Sequence, residues 1–105
     1  LSSGSALVVS DLLIAAGRAP NIEKLALTEA GIKYNEFGVI VDRKLQTTNR
    51  SVYAIGDIVD GPSFTHTASY HAAIVLKKTL FGLSSTIQTT HIPQVTYTDP
   101  EIASV

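Results

Sequence analysis

No cysteine, methionine or tryptophan occurs in these 105 residues, and only 16% of them are charged. Without cysteine this stretch holds no disulfide, no thiolate nucleophile and no thiolate metal site. Neither sign of charge dominates: 8 Lys and Arg face 9 Asp and Glu, for a net of -1. That balance leaves no basic footprint for nucleic acid or an anionic lipid surface. No apolar run approaches the roughly 18 residues of a membrane span. The opening Leu1-Ser-Ser-Gly-Ser lacks an initiator Met and the basic-then-apolar layout of a signal peptide. With no Met anywhere, the expectation is a piece of a longer, cytoplasmic protein.

The hydrophobic share of 45% is that of a globular chain, and the length suits one small domain at most. Leu12 to Ala16 is a continuous apolar run ended by Gly17, the pattern of a strand buried on both faces. Gly17-Arg18-Ala19-Pro20-Asn21 follows as a loop. Ile22 to Ala30 reads as a short helical turn stopped by Gly31, Tyr34 to Gly38 as a turn, and Val39-Ile40-Val41 as a strand. Gln46 to Ser51 is polar and expected at the surface. Val52-Tyr53-Ala54-Ile55 is a second strand pattern, stopping at Gly56-Asp57.

Residues 60–63 read as a turn, and 64–81 turn helical. Ala68, Ala72, Val75 and Leu76 form the expected core-facing stripe, Gly82 the stop, and Ser63 or Thr65 the N-terminal cap. Ser84 to Thr90 is a polar linker, and Pro93 to Tyr97 opens a last strand. One helix and a few short strands make an incomplete hydrophobic unit, because the helix's apolar stripe needs a larger sheet than these strands supply.

The strongest chemical constellation is the strand ending in Gly56-Asp57, a Gly/Pro turn, and a helix that starts near Phe64 to His66. Open α/β sheets bind ligands beyond the carboxyl ends of their strands. A glycine there admits close approach to the backbone, and an ionised Asp accepts strong hydrogen bonds from hydroxyls. The helix start adds unpaired N–H groups and a positive dipole end. The set suits a ligand with hydroxyls and an electron-rich end. An ordinary strand-ending turn explains the same dipeptide, and Gly-Asp pairs are common, so both readings stay open at this level. Elsewhere the signals are weaker. His66 and His71 are five apart, which does not put them on one helix face as metal ligands. With His91 they read as packing or solvent-edge histidines. Arg18 could meet a phosphate or carboxylate, and Lys77-Lys78 suits a helix C-terminus. No nucleophile–base pair, P-loop or metal spacing is present, so no catalytic residue and no metal ligand is assigned.

Three motifs then carry a family resemblance. Asp11-Leu-Leu-Ile-Ala-Ala-Gly-Arg-Ala-Pro-Asn21 resembles the DxLLxAxGRxPN stretch of class I FAD-dependent pyridine nucleotide–disulfide oxidoreductases. Gln46 to Asp57, with Val52-Tyr53-Ala54-Ile55-Gly56-Asp57 at its end, resembles that family's second FAD motif. Val95-Thr96-Tyr97-Thr98-Asp99-Pro100-Glu101 is similar to the opening of its dimerisation domain. The three occur in the family's order across essentially the whole chain. Phe64-Thr65-His66-Thr67-Ala68 looks closer to the mercuric-reductase-like branch than to glutathione reductase. Ser63-Phe64-Thr65-His66 departs from the Met-Leu-Ala-His of dihydrolipoamide dehydrogenases, which argues against lipoamide as substrate.

The resemblance implies an α/β fold, mixed α+β within this stretch. Residues 1–17 would end the NAD-binding domain, 18–92 form the second segment of a Rossmann-like FAD-binding domain, and 93–105 begin the dimerisation domain. It implies a homodimeric oxidoreductase moving electrons from NAD(P)H through FAD to a small-molecule or protein disulfide, a metal ion or a quinone-like acceptor. Asp57, beside Gly56, would hold a ribityl hydroxyl of FAD. The backbone around Phe64, Thr65 and His66 would face the flavin's pyrimidine edge, where a helix N-terminus stabilises the negative charge of the reduced ring. Gly17 would sit by the nicotinamide cofactor. The family's redox Cys pair and its GxGxxG motifs lie upstream of this stretch, and its His-Glu pair downstream. The competing expectation is a non-catalytic or truncated FAD-domain module without turnover.

Overall fold

Backbone-special residues place the first turns of the chain. In the computed structural model, which describes residues 4–61, 63–88 and 92–104, Gly31 takes φ +69. Ile32 N–H donates to Leu27 O (2.8 Å) and Gly31 N–H to Thr28 O (3.0 Å). This is the paired closure of a Schellman motif, in which the residues flanking the glycine touch across the turn. Those residues are Leu27 and Ile32, both buried in the core. The expected helical turn of 22–30 survives only as this closing turn.

Next, β1 (Tyr34–Asn35) and β2 (Gly38–Val39) form an antiparallel hairpin. Asn35 Oδ1 accepts from both Phe37 N–H (2.8 Å) and Gly38 N–H (3.0 Å), an Asx turn that shapes the reversal. Val39 bridges in parallel to Val59, which brings the exit of a single 3-10 turn, Gly56–Ile58, alongside β2. The core is Leu27, Ile32, Val39, Ala54 and Val59, with Leu45 and Ile74 also buried.

Gly82 ends α1 (Thr65–Phe81) in the left-handed conformation, φ 66, as a glycine stop should. Beyond it, β3 (Gln94–Thr96) and β4 (Ile102–Ser104) pair antiparallel. The Cα radius of gyration is 18.1 Å, against about 13 Å for a compact domain of this size. Residues 4–19 lie exposed along their length, which accounts for part of the excess.

Several expectations need correction. Leu12 to Ala16 forms no strand: Leu12, Leu13 and Ile14 are 79%, 88% and 79% exposed. A strand buried on both faces needs neighbours on both sides, and no described strand pairs with this run. Val39–Val41 and Val52–Ile55 shorten to β2 and to a lone bridge between Tyr53 and Gln46. The buried face of α1 is Thr67, His71 and Ile74, whereas Leu76 is 52% exposed. Of the expected stripe, Ala68, Ala72 and Val75 are half-buried and Ala68 packs on Gly56, but the buried positions include two polar residues that the apolar pattern passes over. Ser63 and Thr65 do not cap α1, since Phe64 occupies the N-cap with no side-chain bond.

Gln46 to Ser51 is not a surface loop throughout. Thr47 is 3% exposed, and Asn49 Nδ2 donates to Ala30 O (2.8 Å). Thr48 Oγ1 donates to Gly31 O (2.7 Å) and accepts from Lys33 N–H (3.0 Å). These polar side chains take up backbone groups of the 30–33 turn, so the loop packs inward through hydrogen bonds. The expected turn at 60–63 includes Pro62, and the lone His91 also lies outside the described residues.

Candidate functional site

The β2–Val59 bridge and the packing of α1 on the 3-10 turn fix where Asp57 sits. Gly56 has φ +71, and a Cβ there would lie 3.2 Å from the Ala68 Cβ. The glycine therefore serves both a left-handed turn and close approach to the helix. Its N–H donates to His71 Nδ1 at 3.3 Å. Ala68 and His71 are three apart and so share a face of α1. The turn is held from beneath at its Cα and at its N–H.

So held, the turn presents Asp57 outward. Its side chain is exposed and has no hydrogen-bond or ion-pair partner among the described residues. It lines a cleft of about 460 Å³ together with Arg18–Asn21, Glu36, Phe37, Asp60 and Ser63. Asp60 is tied down by Asn35, whose Nδ2 donates to Asp60 Oδ2 at 2.9 Å. Arg18 faces the same cleft without an ion pair among the described residues. The structure thus joins the Gly56-Asp57 turn to the loop after Gly17. Gly17 itself has φ 119 and is exposed, and it does not line the cleft.

α1 begins two residues after Ser63, a lining residue of this cleft, though Phe64, Thr65 and His66 are not themselves on its lining. The first-turn N–H groups of a helix have no intrahelical partners. Here no side chain caps them and no acidic residue stands in the first turn, so the positive end of the helix dipole is uncompensated. The side chains of two of the expected residues, Phe64 and His66, are engaged elsewhere. His66 Nε2–H donates to Pro93 O at 2.7 Å, since a carbonyl can only accept. The half-buried Phe64 ring stacks on His66, with centroids 5.3 Å apart. What Phe64 and His66 offer a ligand is therefore backbone, whereas Thr65 is exposed.

His71, expected as a packing or solvent-edge histidine, is a packing one, with a bond to the Gly56 turn that the sequence did not show. It is buried, and desolvation lowers its pKa below the ordinary 6.5. It lines a second cavity, about 370 Å³, with Val41, Val59, Thr67, Ile87 and Ile92. The Thr67 hydroxyl is buried there without a hydrogen-bond partner. The usable signal was a polar residue three positions after a small one, on the helix that follows Gly-Asp. Among the described residues no helix is long and apolar enough to cross a membrane, and no three His, Asp or Glu gather as metal ligands do.

On a mixed helix-and-strand frame, the arrangement offers an exposed, unpaired carboxylate on a glycine turn and, a few residues on in the chain, an uncapped helix start. A family model described as pyridine nucleotide-disulphide oxidoreductase matches residues 1–72, and the chain belongs to that family. It is 41% identical over 95 residues to a mercuric reductase of Staphylococcus aureus, covering 90% of this chain and 17% of the relative. It is 40% identical over 95 residues to a dihydrolipoyl dehydrogenase of Geobacillus stearothermophilus, covering 90% of this chain and 20% of that one. The HOCl-induced flavoprotein disulfide reductase RclA from Escherichia coli superposes with a TM-score of 0.87 at 29% identity. That match covers 95% of this chain and 23% of RclA. The chain thus spans about one fifth of the length of these relatives. Enzymes of these families use FAD and NAD(P)H.

Proposed function

We propose that this chain is the second segment of the FAD-binding domain of an enzyme that moves electrons from NAD(P)H through FAD to a disulfide or metal-ion acceptor. Residues 18–92 make up that segment, 1–17 end a NAD-binding domain, and 93–105 begin a dimerisation domain through which the whole protein is a homodimer. The observation that carries the reading is the unpartnered carboxylate of Asp57, held out on the Gly56 turn into a cleft it shares with Arg18 and with Ser63, two residues before α1. A mercuric reductase and a flavoprotein disulfide reductase among the similar proteins support both kinds of acceptor.

The donor set fits FAD. Asp57 accepts from a ribityl hydroxyl, a charge-assisted bond of the stronger kind. The free N–H groups at Thr65 and His66 face the electron-rich pyrimidine edge, and their dipole favours added negative charge there. Bound FAD supplies the two-electron chemistry that the chain's own side chains lack. Gly17 lies at the junction with the nicotinamide site, and the loop it opens carries Arg18 to the cleft. The chain's residues bind and orient FAD, and none of them handles the acceptor.

Asp57→Ala in the whole protein tests this. Losing a charged acceptor costs about 1.5–3 kcal/mol, which weakens FAD binding by roughly ten- to a hundredfold. Flavin content after extensive dialysis reads the effect. Retention equal to that of the unsubstituted protein would remove Asp57 from the site.

A further inference from the structure

One hydrogen bond in the site depends on a proton that its other contacts do not use. Gly56 N–H donates to His71 Nδ1 (3.3 Å), and a histidine nitrogen accepts only when it carries no proton of its own. The neutral ring must then keep its proton on Nε2. Protonation would place a second N–H opposite that of Gly56 and break the bond. Gly56 sits at φ +71 against Ala68 and begins the 3-10 turn that carries Asp57. A loss at Gly56 therefore reaches the Asp57 carboxylate directly.

We propose that His71 is a positioning residue: its neutral Nδ1 holds the Gly56–Asp57 turn in the shape that binds FAD, and protonating the ring releases the turn and the cofactor. This rests on the FAD reading of Asp57. His71 is 6% exposed, so its ring meets the turn from within the fold rather than from solvent. The charged groups around it come from three sides. Asp42 and Arg43, from the segment after β2, and Asp60, after the 3-10 turn, line the cavity that it lines. Asp57 is on the turn it holds, and Tyr70 is its tilted ring neighbour on α1. None of these makes a hydrogen bond or ion pair with the His71 ring among the described residues. Burial holds the ring neutral under ordinary conditions, so release is an acid-side event.

The test compares the whole protein with its His71→Asn and His71→Ala variants, reading the FAD dissociation constant between about pH 5 and pH 8. Asparagine places an amide oxygen where Nδ1 stood and does not titrate. The unsubstituted protein is expected to lose FAD affinity as the pH falls, with a midpoint below the ordinary histidine value because burial lowers the His71 pKa. His71→Asn is expected to hold a flat profile, and His71→Ala to bind about tenfold more weakly throughout. Equal affinities and equal pH profiles in all three would overturn the proposal. A second reading needs no flavin and no variant: the Gly56 amide resonance of the ¹⁵N-labelled protein should titrate with the midpoint of the His71 ring. If the protein takes up no FAD but the two midpoints coincide, the FAD reading fails while His71 keeps its hold on the turn. If the Gly56 resonance ignores the ring's titration, the positioning role fails.

Discussion

Gly38 is the residue whose substitution should do most damage for the fewest atoms, and the structure gives the size of the effect. A Cβ built there would lie 2.5 Å from Ile58 O, 2.9 Å from Asp60 N and 3.0 Å from Val59 C. The first distance is about 0.8 Å short of the closest ordinary carbon–oxygen contact. All three neighbours are backbone, so no side chain can turn aside. The φ of +142 is itself strained for any residue with a Cβ, worth about 1–3 kcal/mol. Overpacking adds about 1–3 kcal/mol more. Relief requires the 58–60 segment to move off β2, loosening the Asp60 N–H to Val39 O bond at 3.3 Å. Gly38→Ala should therefore cost about 2–6 kcal/mol, a large part of the roughly 5–15 kcal/mol that holds a domain folded. Urea unfolding followed by circular dichroism measures it. Gly82→Ala is the control: its φ of +66 is left-handed, but no atom lies within 4 Å of the added Cβ, so only about 1–2 kcal/mol is expected. Equal losses in the two variants would refute the close-approach reasoning.

Other expectations follow from the same structure. Leu45 is fully buried, and Leu45→Ala should cost about 2–5 kcal/mol by the same urea assay. Asn49→Ala removes the bond to Ala30 O and the acceptor for Ser51 N–H. It should cost about 1–2 kcal/mol, far more than an ordinary loop substitution, again read from the urea midpoint. Because burial lowers the folded-state pKa of His71 below 6.5, stability is unaffected by this group above that pH. It falls as the pH drops from 6.5 toward the folded value, since the unfolded chain binds a proton that the folded one resists. The urea midpoint followed down through that window should decline, and the decline should be smaller in His71→Asn.

The sequence showed α1 to within one residue at its start, because a helix-period stretch ending in glycine carries its own stop signal. It showed the inner face only in part: Ala68, Ala72 and Val75 are half-buried, Leu76 is exposed, and the buried Thr67 and His71 lie outside the apolar stripe. Thr67 and His71 occupy that face through shape and one hydrogen bond to backbone, and hydropathy does not register either. The Gln46–Ser51 loop was misjudged for the same reason, since its threonine and asparagine side chains serve backbone groups of a turn distant in sequence. Leu12 to Ala16 was read as a strand from composition alone, whereas a strand exists only with a partner, and no described strand pairs with it. Gly56 and Asp57 were found as a chemical constellation and then by resemblance. Their joining with the Arg18 loop, and the hold of His71 on Gly56, depend on tertiary packing that no local pattern encodes.

The proposed role of this chain is to help hold FAD in a pyridine-nucleotide-dependent oxidoreductase. Its most direct test is the visible absorption spectrum of the purified whole protein, before and after anaerobic addition of NADH or NADPH. A flavin band that bleaches on addition of the reduced nucleotide is the expected result. A colourless protein that takes up no added FAD would contradict the claim and leave the fold without the chemistry.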